Sequence, residues 1–119
     1  MHLTTGWDQL ADETVKRGLS HSLFCVCAHI KEDIVGMGRV IGDAGIYYYI
    51  QDVIVDPTHK NKGIGAKIMS EIETYLSENA PNNAFIGLMA AENVSEFYTK
   101  FGYQRRPDTR PGMFKIVKK

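Results

Sequence analysis

The stretch that decides the fold spans residues 50–76 and reads IQDVIVDPTHKNKGIGAKIMSEIETYL. Its first part continues a run of β-branched and aromatic residues that begins at Tyr47, and such a run is typical of a strand covered on both faces. An Asp-Pro pair then ends the strand. From Ile64 onward, apolar residues recur at helical spacing, with polar residues on the opposite side. The stretch therefore predicts a buried strand, a basic glycine loop and an amphipathic helix that starts near Gly63.

The loop between this strand and this helix has the composition of a phosphate-binding site. The first amide protons of a helix have no partner within the helix, and the helix dipole is positive at that end. Gly63 and Gly65 let a ligand approach the backbone, and Lys60 and Lys62 add positive charge. The spacing fits neither the Walker loop nor the Rossmann fingerprint, whose third glycine or alanine would fall on Ile68. The loop therefore predicts a phosphate site outside both classes.

The same loop resembles the acetyl-coenzyme A signature of the GNAT superfamily of N-acetyltransferases, which is [QR]-x-x-G-x-[GA] after a strand ending in V-x-P. Here the strand ends in VDP at residues 55–57, and the loop reads KNKGIG at residues 60–65, with lysine in place of glutamine or arginine. Downstream, FYTKFGY at residues 97–103 resembles the family's (F/L)-Y-x-x-x-G-(F/Y) element. The runs VGMGR at residues 35–39, QDVIVDP at residues 51–57 and GMF at residues 112–114 further resemble the plant-type serotonin (arylalkylamine) N-acetyltransferase branch, a likeness that covers the chain from about Leu23 onward.

Composition limits the other classes of function. The chain has 119 residues, of which 44% are hydrophobic, as expected for one globular domain over residues 1–119. Its 14 basic and 14 acidic residues cancel, so we expect no bulk attraction to nucleic acid or to a membrane. The sequence shows neither a signal-like run nor a stretch of membrane-spanning length, which predicts a cytoplasmic location.

The cysteines and histidines give no pattern for a metal site. Cys25 and Cys27 alternate within an apolar run, and we predict core or near-core thiols there, because metal or redox sites favour C-x-x-C and more ligands. His21, His29 and His59 lack metal-ligand spacing, so no metal is predicted.

Taken in order, the chain predicts a mixed α/β (α+β) domain. The pattern indicates a first helix capped near Thr5 and closed by Gly18, a hairpin, and a long antiparallel strand. The glycine-loop helix then leads to a strand parallel to the long one, a short helix ended by Gly102, and two closing strands. The predicted strands span residues 22–30, 34–41, 46–55, 84–89, 103–106 and 113–117.

This order is similar to that of the GNAT fold, a mixed, mostly antiparallel sheet with a central βαβ unit. The family's usual first strand and most of its first helix have no counterpart in the sequence. Since that strand is an edge element, its loss exposes the backbone edge of a neighbour. A shortened chain, a start upstream of Met1 and a partner chain over the edge all stay open; we expect a homodimer or an upstream start.

The resemblance implies direct transfer of an acetyl group from acetyl-coenzyme A to a primary amine of a small molecule, without a metal. It also implies which residues contact the coenzyme. Ala91 stands where many relatives have a coenzyme-binding asparagine, and either Asn93 or a water takes that role. The implied coenzyme-binding residues are Val53, Ile54, Val55, Lys60, Asn61, Lys62, Gly63, Ile64, Gly65, Ala66, Asn93 and Tyr98.

Two residues are candidates for proton transfer. In the family's pattern, Tyr98 stands near the coenzyme sulfur and is the implied general acid, while its place on an apolar helix stripe also fits a core role. Asp52 lies in an apolar strand and is the implied general base of the plant-type branch; a buried, hydrogen-bonded structural carboxylate is the rival interpretation. A non-catalytic acyl-coenzyme A sensor is the alternative to an enzyme.

Overall fold

The computed structural model describes residues 10–91 and 94–119, and the elements of this part follow the predicted order. The predicted cap at Thr5 lies outside the described residues. In chain order the elements are α1 (Asp12–Ser20), β1 (Phe24–Ile30), β2 (Asp33–Gly42), β3 (Tyr47–Val55), a 3-10 turn (Pro57–His59), α2 (Ile64–Asn79), β4 (Phe85–Leu88) and α3 (Ser95–Thr99).

The described strands form one sheet in the order β1-β2-β3-β4. The first two pairings are antiparallel, and β4 runs parallel to β3 after the connection through α2. This mixed sheet with a βαβ unit confirms the predicted fold class. The parallel pairing of β3 with β4 ends at Ile50 and Leu88, whereas β3 continues to Val55.

The core lies between the sheet and α2. The apolar stripe predicted from the sequence is buried on α2, where Ile68, Met69, Ile72 and Leu76 are at most 3% exposed. Burial of such side chains stabilises the fold by about 1.5–3 kcal/mol each. At the end of α2, the carbonyl of Asn79 accepts a hydrogen bond from the Tyr48 hydroxyl at 3.4 Å.

Two glycines of β2 let α2 approach the sheet closely. A Cβ atom on Gly38 would lie 2.7 Å from Cγ2 of Ile68 and 3.0 Å from Cδ1 of Ile72. A Cβ atom on Gly36 would lie 2.9 Å from Cδ1 of Ile68. These distances are shorter than ordinary van der Waals contact, so the helix can pack at this height only over glycine.

A β-bulge interrupts the ladder between β2 and β3. Met37 pairs with Ile54 and Arg39 pairs with Gln51, so three residue steps on β3 oppose two on β2. Asp52 lies within this interval and has a φ of 58°. An extra residue in the left-handed region is one of the standard ways to build a bulge, and aspartate tolerates that region better than most residues.

Three local predictions are wrong. α1 continues two residues past Gly18 to Ser20, since nothing at Gly18 requires the left-handed conformation that ends a helix. The predicted closing strands at residues 103–106 and 113–117 are not formed. Apolar side chains of the second segment, including Met113 and Phe114, are exposed, and without a neighbouring strand its backbone has no ladder to join.

The cysteine prediction is also wrong, because both thiols are exposed. Phe24 of β1 stacks on Tyr75 of α2, with ring centroids 4.7 Å apart. Since side chains alternate along a strand, Cys25 and Cys27 point to the face of β1 away from α2. Partial burial of Cys27 by its neighbours, together with the adjacent thiol of Cys25, raises the pKa of the Cys27 thiol.

The chain divides into two compact units, Met1–Leu88 and Met89–Lys119. The first holds the sheet with α1 and α2, and the second holds α3 and the C-terminal segment. Within residues 10–91 and 94–119, none of the helices combines the length and apolar character that a membrane span requires.

Candidate active site

The first turn of α2, which follows the basic loop, presents several backbone N–H groups that make no bond within the helix. Gly63 caps the helix in the left-handed conformation, with a φ of 78°, and Asn61 is also left-handed, with a φ of 67°. The N–H of Lys67 donates to the carbonyl of Gly63 at 3.1 Å as the first bond of the helix ladder. The N–H groups of Ile64, Gly65 and Ala66 therefore precede the ladder and are available to an acceptor outside it.

This geometry fits an anion with several oxygens. Left-handed residues interspersed in a loop direct neighbouring N–H groups to one side, which forms a concavity of positive partial charge. A Cβ atom on Gly63 would meet nothing within 4 Å, so the space beside the loop is open. The pyrophosphate of a coenzyme has the required charge and size, and the lysines at positions 60 and 62 add to the attraction.

The 3-10 turn fixes the start of this loop. Asp56 is only 2% exposed, and its carboxylate accepts hydrogen bonds from the N–H and the hydroxyl of Thr58, each at 3.2 Å. The N–H of Asp56 donates to the carbonyl of Val35 at 2.7 Å and so ties the turn to β2. His59 lies 4.0 Å from Asp56, measured between Nε2 and Oδ2, and its Nδ1 is 3.3 Å from Nζ of Lys62.

From the sequence, Asp56 is predicted only to end the strand. Its side chain in fact organises the turn that leads into the loop. The signal was present in the sequence as Asp-Pro-Thr, because an aspartate whose oxygens bond the backbone two residues on is a standard turn former.

The end of β3 has a free backbone edge in its own unit. Pairing with β4 stops at Ile50, so the remaining residues of β3 have β2 as their neighbour on one side. Backbone N–H groups point alternately to the two sides of a strand, and that of Asp56 points to β2. The N–H groups of Val55 and Val53 therefore point to the side where β4 has ended, which suits the binding of a carbonyl oxygen.

The predicted base, Asp52, lies at the bulge next to this edge. Its side chain is 8% exposed, and its Oδ2 is 3.5 Å from Nη1 of Arg39. Burial raises the pKa of the Asp52 carboxyl, whereas the positive charge of Arg39 and a hydrogen bond with the Gln51 side chain lower it. The net shift is upward, which favours a group that exchanges a proton nearer to neutral pH than an ordinary aspartate.

Arg39 is not among the site residues predicted from the sequence. This arginine stands among apolar and small residues on β2, and its side chain is only 12% exposed. A single arginine in a strand of that kind needs a partner of opposite charge, which could have drawn attention to it.

The predicted acid, Tyr98, lies on α3 in the second unit. Its ring packs edge-on against Phe97, with centroids 5.1 Å apart, and Phe97 contacts Phe101 in the same manner at 5.5 Å. Burial raises the pKa of the Tyr98 hydroxyl, which keeps it protonated at neutral pH. Asn93 lies outside the described residues.

The loop, the free edge of β3 and Asp52 thus come together on consecutive segments of the first unit. In the described part of the chain, no three histidine, cysteine, aspartate or glutamate side chains are placed to hold a metal ion. Comparison with known proteins identifies the family. Residues 4–112 match the acetyltransferase (GNAT) domain. The chain belongs to the GNAT family.

Named relatives and solved structures agree with this. The GNAT chain is 30% identical over 115 residues to the uncharacterized N-acetyltransferase ycf52 of Porphyra purpurea, which covers 93% of this chain and 65% of that protein. It is 27% identical over 112 residues to the chloroplastic serotonin N-acetyltransferase 2 of Oryza sativa subsp. japonica, covering 91% of this chain and 55% of the rice protein. This chain therefore spans less than two thirds of the length of both relatives.

Among solved structures, the fold is similar to that of a protein from methicillin-resistant Staphylococcus aureus described as a probable acetyltransferase. The TM-score is 0.85 and the identity 30%, with 91% of this chain and 81% of the other covered. This similarity extends the family assignment from the sequence to the arrangement of strands and helices.

Proposed function

We propose that this GNAT domain transfers an acetyl group from acetyl-coenzyme A to a primary amine of a small molecule. One observation carries the proposal: the free N–H groups in the first turn of α2 and the free edge of β3 belong to one unit and follow each other along the chain. The first suits a pyrophosphate and the second suits a thioester carbonyl. Acetyl transfer requires that the pyrophosphate and the thioester of one coenzyme molecule are held at the same time.

The backbone supplies the binding part of the mechanism. The amides of Lys60, Asn61, Lys62, Gly63, Ile64, Gly65 and Ala66 hold the pyrophosphate, and the lysine side chains add charge. A main-chain amide of β3, from Val53, Ile54 or Val55, polarises the thioester carbonyl. By the alternation of N–H directions, Val53 and Val55 are better oriented for this than Ile54.

The side chains supply the proton transfers. The attacking amine must be neutral, so Asp52 accepts a proton from the incoming ammonium, directly or through a water. The nitrogen then attacks the thioester carbonyl carbon, the carbon–sulfur bond breaks, and the nitrogen loses its second proton to water as the amide forms. Tyr98, whose raised pKa keeps the hydroxyl protonated at neutral pH, donates its proton to the departing thiolate and regains one from water. Asn93 completes the proposed coenzyme contacts.

The small size of the acceptor, the homodimer and the cytoplasmic location remain predictions. Small molecules and proteins both serve as acceptors for acetyltransferases of this kind. The name of the rice relative assigns that protein to the chloroplast, so the location of this chain needs its own measurement.

One observation favours the alternative of a non-catalytic acyl-coenzyme A sensor. Asp52 is already paired with Arg39, and a paired carboxylate also fits a structural role. An assay of acetyl-coenzyme A consumption separates the two functions. Turnover with any member of a panel of arylalkylamines, polyamines, amino acids and aminoglycosides supports the enzyme. Coenzyme binding with no turnover across the panel supports the sensor.

Binding itself is tested by thermal unfolding. Coenzyme A at about 100 times its dissociation constant should stabilise the folded state by about 2.7 kcal/mol. Gly65→Val should remove this gain, because a branched side chain in the first turn of α2 blocks the approach to the free N–H groups. Gly112→Val is the matched control, since a Cβ atom there meets nothing within 4 Å. The proposal would be contradicted if millimolar coenzyme A leaves the melting temperature of the wild-type protein unchanged.

A further inference from the structure

The guanidinium of Arg39 joins two elements of the first unit. Its Nη1 lies 3.5 Å from Oδ2 of Asp52 on β3, and its Nη2 donates to the carbonyl of Gly18 on α1 at 3.2 Å. Its Nε is buried and has no hydrogen-bond partner among the described residues. Arg39 thus connects the candidate base on β3 with the last turn of α1, which precedes all the strands in the chain.

These contacts are poor ones for stability alone. An optimal charge-assisted hydrogen bond from arginine to a carboxylate is about 2.7–2.9 Å long and often bidentate. Here the ion pair is longer, uses one nitrogen, and leaves a buried Nε unsatisfied, which itself costs free energy. Stabilisation of the fold therefore does not by itself explain why Arg39 and Asp52 are paired.

The backbone of Asp52 supplies one. A residue with positive φ is held there by its surroundings, and the bulge fixes the direction in which its side chain leaves the strand. Among the described residues, the groups that face its carboxylate are Arg39 from β2 and Gln51 from its own strand. On the far side of Arg39, the ladder places Cys25 of β1 opposite it.

We propose that Arg39 is a positioning residue that aims the Asp52 carboxylate and keeps it ionised for proton transfer, while the Gly18 carbonyl holds the guanidinium in place. This inference rests on the proposed role of Asp52 as the base. Burial alone would leave Asp52 protonated over a wider pH range and unable to accept a proton from the amine. The nearby positive charge counteracts burial, and the helix contact prevents the long side chain from turning away.

The test follows the titration of Asp52 by ¹³C NMR of its carboxyl carbon, together with the pH profile of turnover. Arg39→Met removes the charge and should move the titration of Asp52 and the acidic limb of the profile to higher pH together. Arg39→Lys keeps the charge and should restore both toward the wild-type positions. Lysine lacks the planar fork that reaches Asp52 and Gly18 at once, so kcat should still fall while KM stays the same. Arg17→Met, an exposed residue of α1, controls for loss of a surface charge.

The inference would be overturned if the Arg39→Met protein folds and its Asp52 titrates at the same pH as Asp52 in the Arg17→Met control. If Arg39→Met fails to fold, Arg39→Gln gives the same comparison, since it removes the charge and keeps a donor for Gly18. The NMR titration needs no turnover, so it is decisive even if no acceptor is acetylated. An active enzyme with an unmoved limb contradicts only the role of Arg39, whereas absence of both coenzyme binding and turnover contradicts the proposed function.

Discussion

At the residue scale, Asp52 combines three unusual properties. It has a left-handed backbone, a nearly buried carboxylate and a partner that is itself mostly buried. The sequence analysis placed this aspartate correctly in the long strand but missed its backbone conformation. A bulge depends on how two strands pair, and the sequence of one strand does not contain that pairing. For the same reason, the partnership with Arg39 could not be read from the residues around position 52.

Asp52→Asn should lower turnover by about 10² to 10⁴, because the amide keeps the shape of the side chain but cannot accept a proton. In wild type, protonation of Asp52 should reduce the rate as the pH falls. The raised pKa means that this loss begins at a higher pH than for an ordinary aspartate. The variant should lose this acidic limb, provided that chemistry limits kcat. A measurement of kcat against pH for both proteins checks this.

Two other outcomes would assign Asp52 differently. If Asp52→Asn unfolds, as seen by circular dichroism, the carboxylate is structural. If the variant folds and keeps the rate and pH profile of wild type, the base is elsewhere or the amine arrives already neutral.

Tyr98→Phe should lower turnover by about 10² to 10⁴ with little change in coenzyme affinity, since it removes only the hydroxyl that protonates the thiolate. The packing of this ring against Phe97 should survive, so the fold should be retained. Steady-state kinetics and calorimetric titration with coenzyme A give the two quantities. Phe97→Leu is the matched control, because it disturbs the same aromatic packing and leaves the Tyr98 hydroxyl in place. Equal turnover of wild type and Tyr98→Phe would leave Tyr98 a packing residue.

At the element scale, the glycines of β2 determine how closely α2 lies on the sheet. Gly38→Ala should lower the free energy of unfolding by about 1–3 kcal/mol, because the added methyl overlaps Ile68 and Ile72 in a packed core. Gly45→Ala is the control, since its Cβ atom would lie at an ordinary 3.7 Å from the Asp43 carboxylate. Urea unfolding of the two variants measures the difference. Equal midpoints would show that the helix can shift to admit the methyl group.

Element boundaries were predictable where periodicity was strong and unreliable where it was not. α2 begins at Ile64 as expected, because its buried stripe and the glycine cap before it agree. The proposed strand at residues 113–117 has the apolar content of a strand, yet Phe114 and its neighbours are exposed. Strand formation depends on a partner edge, and five residues in isolation carry no information about that partner.

At the scale of the whole molecule, β1 forms one edge of the described sheet. Among the described residues, β1 has a neighbour on one side only, and a free edge is a template for pairing with another chain. We therefore expect a homodimer in solution, measured by light scattering with size-exclusion chromatography. Cys27→Lys places a charge on this edge and should shift the protein toward monomer, whereas Ser70→Lys on the exposed side of α2 should not. A monodisperse wild-type monomer would contradict the expectation.

The bulge at Asp52 also changes the phase of β3 relative to the helix above it. Before it, even-numbered residues such as Tyr48 face α2, and after it the odd-numbered Val53 does, since its Cγ2 lies 3.4 Å from the Cβ position of Gly38 beneath the helix. Deleting one residue here would make the ladder regular and leave every later side chain on its present face, whereas flattening the bulge without a deletion would turn each of them to the opposite face. The bulge therefore lets β3 carry one residue more than β2 across this interval and still keep Val53 beneath the helix.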